Sequence, residues 1–467
     1  MAARRYPPVA LHELARLGAR ERDALLLRAE DDLERFLDGA RPIVEAVRAG
    51  GDEALARLGR ELDRAEGLTA DSIRATPADF DAAFDALEPA MIGTMEYAAD
   101  NIRRFHESQR VPEMRMEEIR PGVLVGERTT PIDSVACYSP RGKGSFPVVT
   151  LMTCIPATVA SVPKRIVLTP PGPDGKADPA TLVAARLSGV ETVCLAGGAQ
   201  AVAAAAYGTA SVPRCAKIVG PGSPWFVAAK RLLAGRIDPG LPAGPSETIL
   251  LADPSANPHV AALDLCIESE HGDDSSAFLV TWSPELAHRV RELVPRYWDR
   301  MGDVLAGYSS TVLSGTRGGV VLAPDAASAY DFVNDYAPEH CQVLSTAPFE
   351  HLAHVRNASE ILLGEHAAGS LANYLMGPNC VLPTSGAART HSPLGVADFT
   401  RRCSIGHVTA GGYAEMAPHA HRFARYEGFD GHANAVSTLR DDAFGGWAPE
   451  QGSTGVAPPR VATPRGE

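Results

Sequence analysis

The chain has 467 residues, 45 % of them hydrophobic and 22 % charged, which is ordinary for a soluble globular protein and leaves room for about three structural units. With 44 Lys and Arg against 57 Asp and Glu, the formal charge of −13 argues against a nucleic-acid partner, which would need a basic face. No apolar run reaches the roughly 18 residues of a bilayer span, the N-terminus turns charged too soon for a signal peptide, and none of the eight cysteines forms a C-x-x-C pair. The expectation is a cytoplasmic protein with reduced, buried thiols and no membrane partner.

The first 117 residues read as an N-terminal helical region. In LERFLDGARPIVEAVRAGGDEALARLGRELD apolar residues recur at three and four, so Leu33, Phe36, Leu37, Ile43, Val44 and Val47 share inward faces, with Gly50 and Gly51 as punctuation. A second helical run, FDAAFDALEPAMIGTMEYAADNIRRFHESQR, follows. From about residue 118 the texture changes. Short β-branched runs (GVLVGERTT, SVACYSP, RIVLTPP, TVCLAGG, KIVGPG, ETILLAD, AFLVTWS, HCQVLS) alternate with helical stretches such as PATLVAARLSG and AQAVAAAAYGT. This alternation predicts an α/β fold with parallel sheets covered by helices. There is length for two such units, 118–245 and 246–385, divided near LPAGPSE, followed by an arm over 386–444. The last stretch, 445–467, is rich in Gly and Pro and reads as a disordered tail.

Four stretches carry candidate chemistry. HVAALDLCIESEHG reads as a helix stopped by Gly272, with Asp264, Glu268 and His271 at i, i+4 and i+7 on one face. Glu and His three apart can reach one metal ion. Such pairs are more often solvated surface, and the local spacing favours that bland reading, with Asp264 at the exposed edge. In YAPEHCQVL, Pro338 ends a helix and Glu339 and His340 enter a strand, where they are either a proton-transfer pair or a strand-entry pair without a role. In YEGFDGHANAV, Glu427 and His432 sit in a glycine-broken loop that by itself reads as a polar connector. The glycine turns YSPRGKGSFP, LAGGAQAVAAAAYGT, IVGPGSPWF and LPAGPSE can present backbone N–H groups to phosphates. None is a dinucleotide fingerprint or a Walker loop.

In order and content, RGKGSFP, TLMTCIPATVA, LAGGAQAVAAAAYGT, IVGPGSPWFVAAK, LPAGPSE, ESEHGDDS, YAPEH, GPNCVLPTSG, SPLGVADFTRR and YEGFDGHANAV resemble the histidinol dehydrogenase family, over roughly residues 15–440. The resemblance implies two incomplete Rossmann-like units and a homodimer whose C-terminal arm reaches the partner's site. It also implies NAD- and Zn2+-dependent oxidation of an alcohol to aldehyde and then carboxylate. By that likeness His340 takes the alcohol proton, Glu339 activates water for the second oxidation, and Tyr138, Gln200 and Ser223 lie at the nicotinamide cofactor. Ser246, Gly369, Tyr374, Cys380 and Glu427 fall at substrate positions.

The chain departs from the family pattern at its centre. Family zinc ligands are Gln, His, Asp and His; the matching residues here are Glu268, His271, Asn373 and His432. An amide has become a carboxylate and a carboxylate an amide, so the set still carries one negative charge and one neutral carbonyl. Retained zinc is the preferred expectation, and loss of the metal with the fold kept is the alternative. Gly369 stands where a substrate-binding Glu is expected, Cys380 where a His is, Val148 and Val149 where a Ser pair is, and Ser223 where an Asn is. Removing the Glu and His should each cost about 1–3 kcal/mol of recognition for a cationic imidazole substrate. The preferred expectation is therefore the same chemistry on a primary alcohol other than L-histidinol, neutral or anionic, as in relatives that oxidise sulfonated diols. Arg141, Lys143 and Arg389 are the nearby cations. The alternatives are an authentic L-histidinol dehydrogenase of histidine biosynthesis, and a metal-free, non-catalytic binding descendant.

Overall fold

The computed structural model describes residues 6–28, 34–141 and 144–446. Leu33, Lys143 and most of the expected tail, 447–467, lie outside the described residues. The chain divides into two compact units. The first takes in Met1–Val111 and Thr130–Arg401, the second Pro112–Thr129 and Arg402–Glu467.

Strand β1 (Leu11–Glu13) comes first, followed by β2 (Met114–Arg120) and β3 (Val123–Pro131). Next come β4 (Ser134–Tyr138), β5 (Lys164–Thr169), β6 (Val193–Leu195) and β7 (Lys217–Val219). Then follow β8 (Glu247–Ala252), β9 (Ser276–Thr281), β10 (Gly318–Leu322), β11 (His340–Leu344) and β12 (Glu360–Leu363), and last β13 (Thr400–Val408). The first unit holds two sheets. Four strands run in the order β6-β5-β4-β7, and six in the order β1-β10-β9-β8-β11-β12. Every described pairing in both is parallel. The fold is thus the α/β arrangement that strand–helix alternation predicts.

Both sheets are covered on both faces, and the strand sequences show why they read as continuous apolar runs. In β4, Ala136 and Tyr138 enter a core with the helix Glu34–Leu62, while Val135 and Cys137 enter another with Phe80, Met95 and Ile102. In β8, Leu250 and Ala252 face one core, Ile249 and Leu251 the other. The period of two sends successive side chains to opposite layers. The N-terminal helices therefore serve as the two outer layers of the first sheet. Val44 and Val47 are buried there, and Phe36, Leu37 and Ile43 pack against the same core. The helix breaks at Gly51, whose φ of +53° favours glycine.

Two elements depart from the helical reading of this region: β2 already begins at Met114, and Leu11–Glu13 is an edge strand on β10. Its LHE sequence has no β-branched residue, so pairing rather than propensity makes it a strand. The second unit holds the three-stranded sheet β13-β3-β2, with β2 and β3 antiparallel, and the helices Ala410–Glu427, Asp430–Asn434 and Thr438–Gly446. Among the described residues no helix is long and apolar enough to cross a membrane.

Candidate functional site

The residues expected to do chemistry gather at the amino end of the six-stranded sheet. The helix Ala326–Tyr336 stops at Ala337, held at φ +53°, and Pro338 blocks its continuation. Glu339 and His340 then open β11, both buried. Next to β11, the backbone N–H of Glu247 on β8 donates to Glu339 Oε2 at 2.9 Å. On the other side β12 begins with Glu360, which stands opposite His340 in the parallel register. Its Oε2 is 2.8 Å from His340 Nδ1. His340 Nε2 makes no hydrogen bond among the described residues and lies 3.8 Å from Glu339 Oε1.

Glu268, His271 and Asn373 form one cluster. Glu268 Oε2 lies 2.7 Å from His271 Nδ1, and its Oε1 accepts from Asn373 Nδ2 at 2.8 Å. Ser246 Oγ is 3.1 Å from the same His271 nitrogen. The helix carrying Glu268 runs Pro258–Ser269 and is capped by Glu270, so it ends before Gly272. Gly272, at φ +155°, is not the left-handed stop that its position suggests. His271 lies beyond the helix and folds back, which is how its ring meets Glu268. The surface reading of this turn does not hold: Glu268 is 4 % exposed, and Asp264 is also buried, accepting from Gln342 Nε2 at 2.7 Å.

The charges explain one another. Burial by itself would raise the Glu268 carboxyl, but the His271 imidazole, His340 and the Asn373 amide outweigh it and hold the group well below the usual carboxylate range. Glu268 in turn raises His271. Burial, opposed by His340 and reinforced by Glu268, pushes Glu339 up to about 8. Burial would lower His340, but Glu339, Glu360 and Glu268 surround it and raise it to about 10. Glu247 is matched by Arg28, whose Nε lies 2.8 Å from its Oε1. A small cavity of ≈ 10 Å³, room for about one water, lies between Glu268, His340, Asp264, Gln342, Thr248 and Gly369. At Gly369 a Cβ would meet only Ile267, at 3.6 Å, so the backbone does not require glycine there. Tyr374 is 54 % exposed. Cys380 and Val148 pack against the first unit's core, and Val149 is buried in it.

Among the described residues, no three His, Cys, Asp or Glu side chains form a metal cluster by themselves. The first unit offers two such groups and an amide. A buried carboxylate, an imidazole and an amide oxygen are nonetheless a donor set suited to zinc, and one negative charge balances half of a divalent cation. These residues fit the metal.

The expected cofactor residues lie at the other sheet, at its carboxyl end. Tyr138 closes β4, stacks on Phe226 with ring centroids 4.2 Å apart, and accepts from Gly198 N at 3.0 Å. Gln200 follows on the helix Gly198–Tyr207, and its amide donates to Asp63 Oδ2 at 2.9 Å. Ser223 precedes the helix Pro224–Leu233, and its hydroxyl makes no capping bond. A pocket of ≈ 580 Å³ opens nearby, lined by Asp63, Arg64, Arg141, Ser145, Pro170 and Asp178. That volume suits a small ligand. Arg389 is committed elsewhere, to the carbonyls of Asp335 and Gly386.

Glu427 and His432 belong to the second unit, and both are exposed. Glu427 ends its helix before Gly428, which takes φ +80°, and His432 lies on the short helix Asp430–Asn434 rather than in a loop. Sequence reasoning missed Glu360, Glu247, Arg28 and Asp63. Nothing local marks them, since an acid at a strand start is ordinary and only register or long-range pairing shows its neighbour.

A sequence model described as histidinol dehydrogenase matches residues 26–440. A histidinol dehydrogenase homolog from Colwellia psychrerythraea is 56 % identical over 93 % of this chain and 98 % of its own length. The histidinol dehydrogenase of Synechocystis sp. is 42 % identical over 91 % and 97 %. The crystal structure of histidinol dehydrogenase from Elizabethkingia anophelis superposes with a TM-score of 0.86 at 27 % identity, covering 95 % of this chain and all of that one. On this agreement of sequence and fold, the chain belongs to the histidinol dehydrogenase family, NAD-dependent oxidoreductases acting on CH–OH groups.

Proposed function

We propose that the protein oxidises a primary alcohol other than L-histidinol to the aldehyde and on to the carboxylate, with NAD and zinc. The observation that carries this reading is the buried Glu268 carboxylate bridging His271 and Asn373 beside the Glu339–His340 pair. Glu268, His271 and Asn373 would hold zinc, and by the family likeness the partner subunit's His432 would be the fourth ligand. When bound, zinc would supply polarisation of the alcohol oxygen and NAD a hydride acceptor.

The chain's own residues handle the protons. His340 Nε2, without a hydrogen bond among the described residues, is the atom that takes the alcohol proton, in the neutral ring that forms as pH rises, since the acids around the ring hold it protonated up to about 10. Glu339 is held by the Glu247 N–H, and its carboxylate, formed as pH rises through about 8, accepts a proton from water as that water attacks the aldehyde. Tyr138, Gln200 and Ser223 orient the cofactor, while Ser246, Tyr374, Cys380 and Glu427 bound the substrate. Gly369, where a side chain would fit, leaves that wall open and uncharged, and Cys380 offers no imidazole. Both changes disfavour a cationic imidazole substrate. The exposed Phe423, Tyr426 and Phe429 around Glu427 support a homodimer in which the arm serves the partner's site. The free cysteines fit a reducing cytoplasm.

A second reading, L-histidinol as substrate, is favoured by the 42 % identity to the Synechocystis histidinol dehydrogenase. One assay separates the two: NADH formation from L-histidinol, simple amino alcohols, neutral diols and a sulfonated diol, together with metal content. About one zinc per chain and turnover of a diol or neutral alcohol support the first reading. L-Histidinol as the best substrate gives the second. No metal and no turnover leave the non-catalytic descendant.

A further inference from the structure

We propose that Glu360 is a positioning residue for His340, holding the Nδ1–H so that in the neutral ring the lone pair falls on Nε2; the inference rests on the alcohol-oxidation reading above. A neutral imidazole has one donor and one acceptor nitrogen, and the partner of one decides the state of the other. Glu360 Oε2 lies 2.8 Å from Nδ1, the length of a charge-assisted bond. The side chains of His340 and Glu360 are 8 % and 9 % exposed. Among the described residues this is the side-chain hydrogen bond Glu360 makes.

The register explains the pairing. Residues opposite each other on neighbouring parallel strands point to the same face, and β11–β12 sets His340 against Glu360 while β11–β8 sets it against Thr248. A buried carboxylate with a single partner is costly where its neighbours Ile361, Leu362 and Leu363 are apolar. An apolar residue would pack there at less cost, so the carboxylate is explained by what it does to the ring. It prevents the ring flip that would turn Nδ1 toward the cavity, and it stabilises the imidazolium once Nε2 has taken the alcohol proton. Glu339 faces the other nitrogen at 3.8 Å and cannot do this.

The test uses the full-length protein with Glu360→Ala and Glu360→Gln, on the panel alcohol that the parent oxidises fastest. Ala should lower kcat about 10- to 100-fold, the usual range for losing such a partner, with KM within about two-fold. Gln keeps an oxygen that can accept from Nδ1–H and should fall between Ala and the parent. A kcat for Ala within two-fold of the parent, a loss confined to KM, or Gln no better than Ala overturns the proposal. A second readout needs no substrate. The downfield Nδ1–H proton of His340, picked out from the 14 histidines by its loss in His340→Gln, should be present in the parent and Glu360→Gln and absent in Glu360→Ala. Its absence from the parent overturns the proposal. If the parent oxidises no alcohol while the proton behaves as described, the alcohol reading has failed and the Glu360 contact has not.

Discussion

The two sheets of the first unit share a connectivity and carry the candidate residues at opposite ends. Ignoring β1, each begins at an inner strand, adds two strands on one side, then crosses to the other: β6-β5-β4-β7 and β10-β9-β8-β11-β12. In such sheets the crevice at the carboxyl ends of the strands flanking the switch is the usual ligand site. The four-stranded sheet follows that rule, with Tyr138 at the end of β4 and the Gly220 turn after β7. The six-stranded sheet does not. Its switch lies between β8 and β11, where Ser345 Oγ donates to Asp253 Oδ2 at 2.6 Å, and His351 Nε2 lies 3.2 Å from Ser345 and 3.3 Å from Asp253. Tyr330 closes the other side of His351 at 2.7 Å. Hydrogen bonds fill the crevice, and the acids and imidazoles stand at the amino ends of β8, β11 and β12. On the proposed reading, one topology would serve as a cofactor platform at one end and as a rigid base for chemistry at the other.

That contrast can be broken experimentally. The largest effect is expected at the amino end: His340→Ala should reduce turnover about 10²–10⁴-fold, as for loss of a general base, with NADH binding by fluorescence unchanged. A loss of NADH affinity instead would mean that His340 also holds the cofactor. Next, His271→Ala should remove the zinc measured by elemental analysis and lower Tm. Saturating metal at 100 times its dissociation constant contributes about 2.7 kcal/mol, and chelation of the parent should reproduce that drop. An unchanged Tm in both would sink the donor set.

The sealed end should behave as structure alone. His351→Ala leaves Asp253, Ser345 and Tyr330 short of a partner and should cost about 1–3 kcal/mol in urea with kcat retained. A selective loss of turnover would place function at this end as well. The most specific effect is a pH dependence. Folding raises Glu339 from 4.5 to about 8, so between those values the folded chain keeps a proton that the unfolded chain has released. This group's contribution to stability therefore falls as pH rises through that window. Glu339→Gln, in chelated protein, should match the parent near pH 4.5 and gain Tm on it progressively toward pH 8. A constant difference across the range would contradict the burial of that carboxyl.

Much of this was legible in the chain. Alternating apolar runs and Ala-rich helices predicted parallel sheets because a strand buried on both faces is apolar at successive positions, as VAC in β4 and ILLA in β8 are. Gly50 and Gly51 marked the helix break. The Glu–His spacing at 268 and 271 was visible, but its burial was not, since a helix end looks the same in sequence whether solvent or a sheet lies beside it. The exposed edge expected for Asp264 became a buried hydrogen bond to Gln342, a residue 78 positions away.

The sequence by itself determined most of the elements, the two covered sheets and the identities of the candidate donors. Those follow from local periodicity and from which side chains can carry a charge or a lone pair. Only the tertiary structure decided that Glu360 meets His340, that Glu268 is buried between His271 and Asn373, and that the six-stranded sheet is closed at its carboxyl end. The reason is that strand register and packing join residues far apart in the chain, and the environment they create sets which buried carboxylates are held charged and which are pushed toward neutrality.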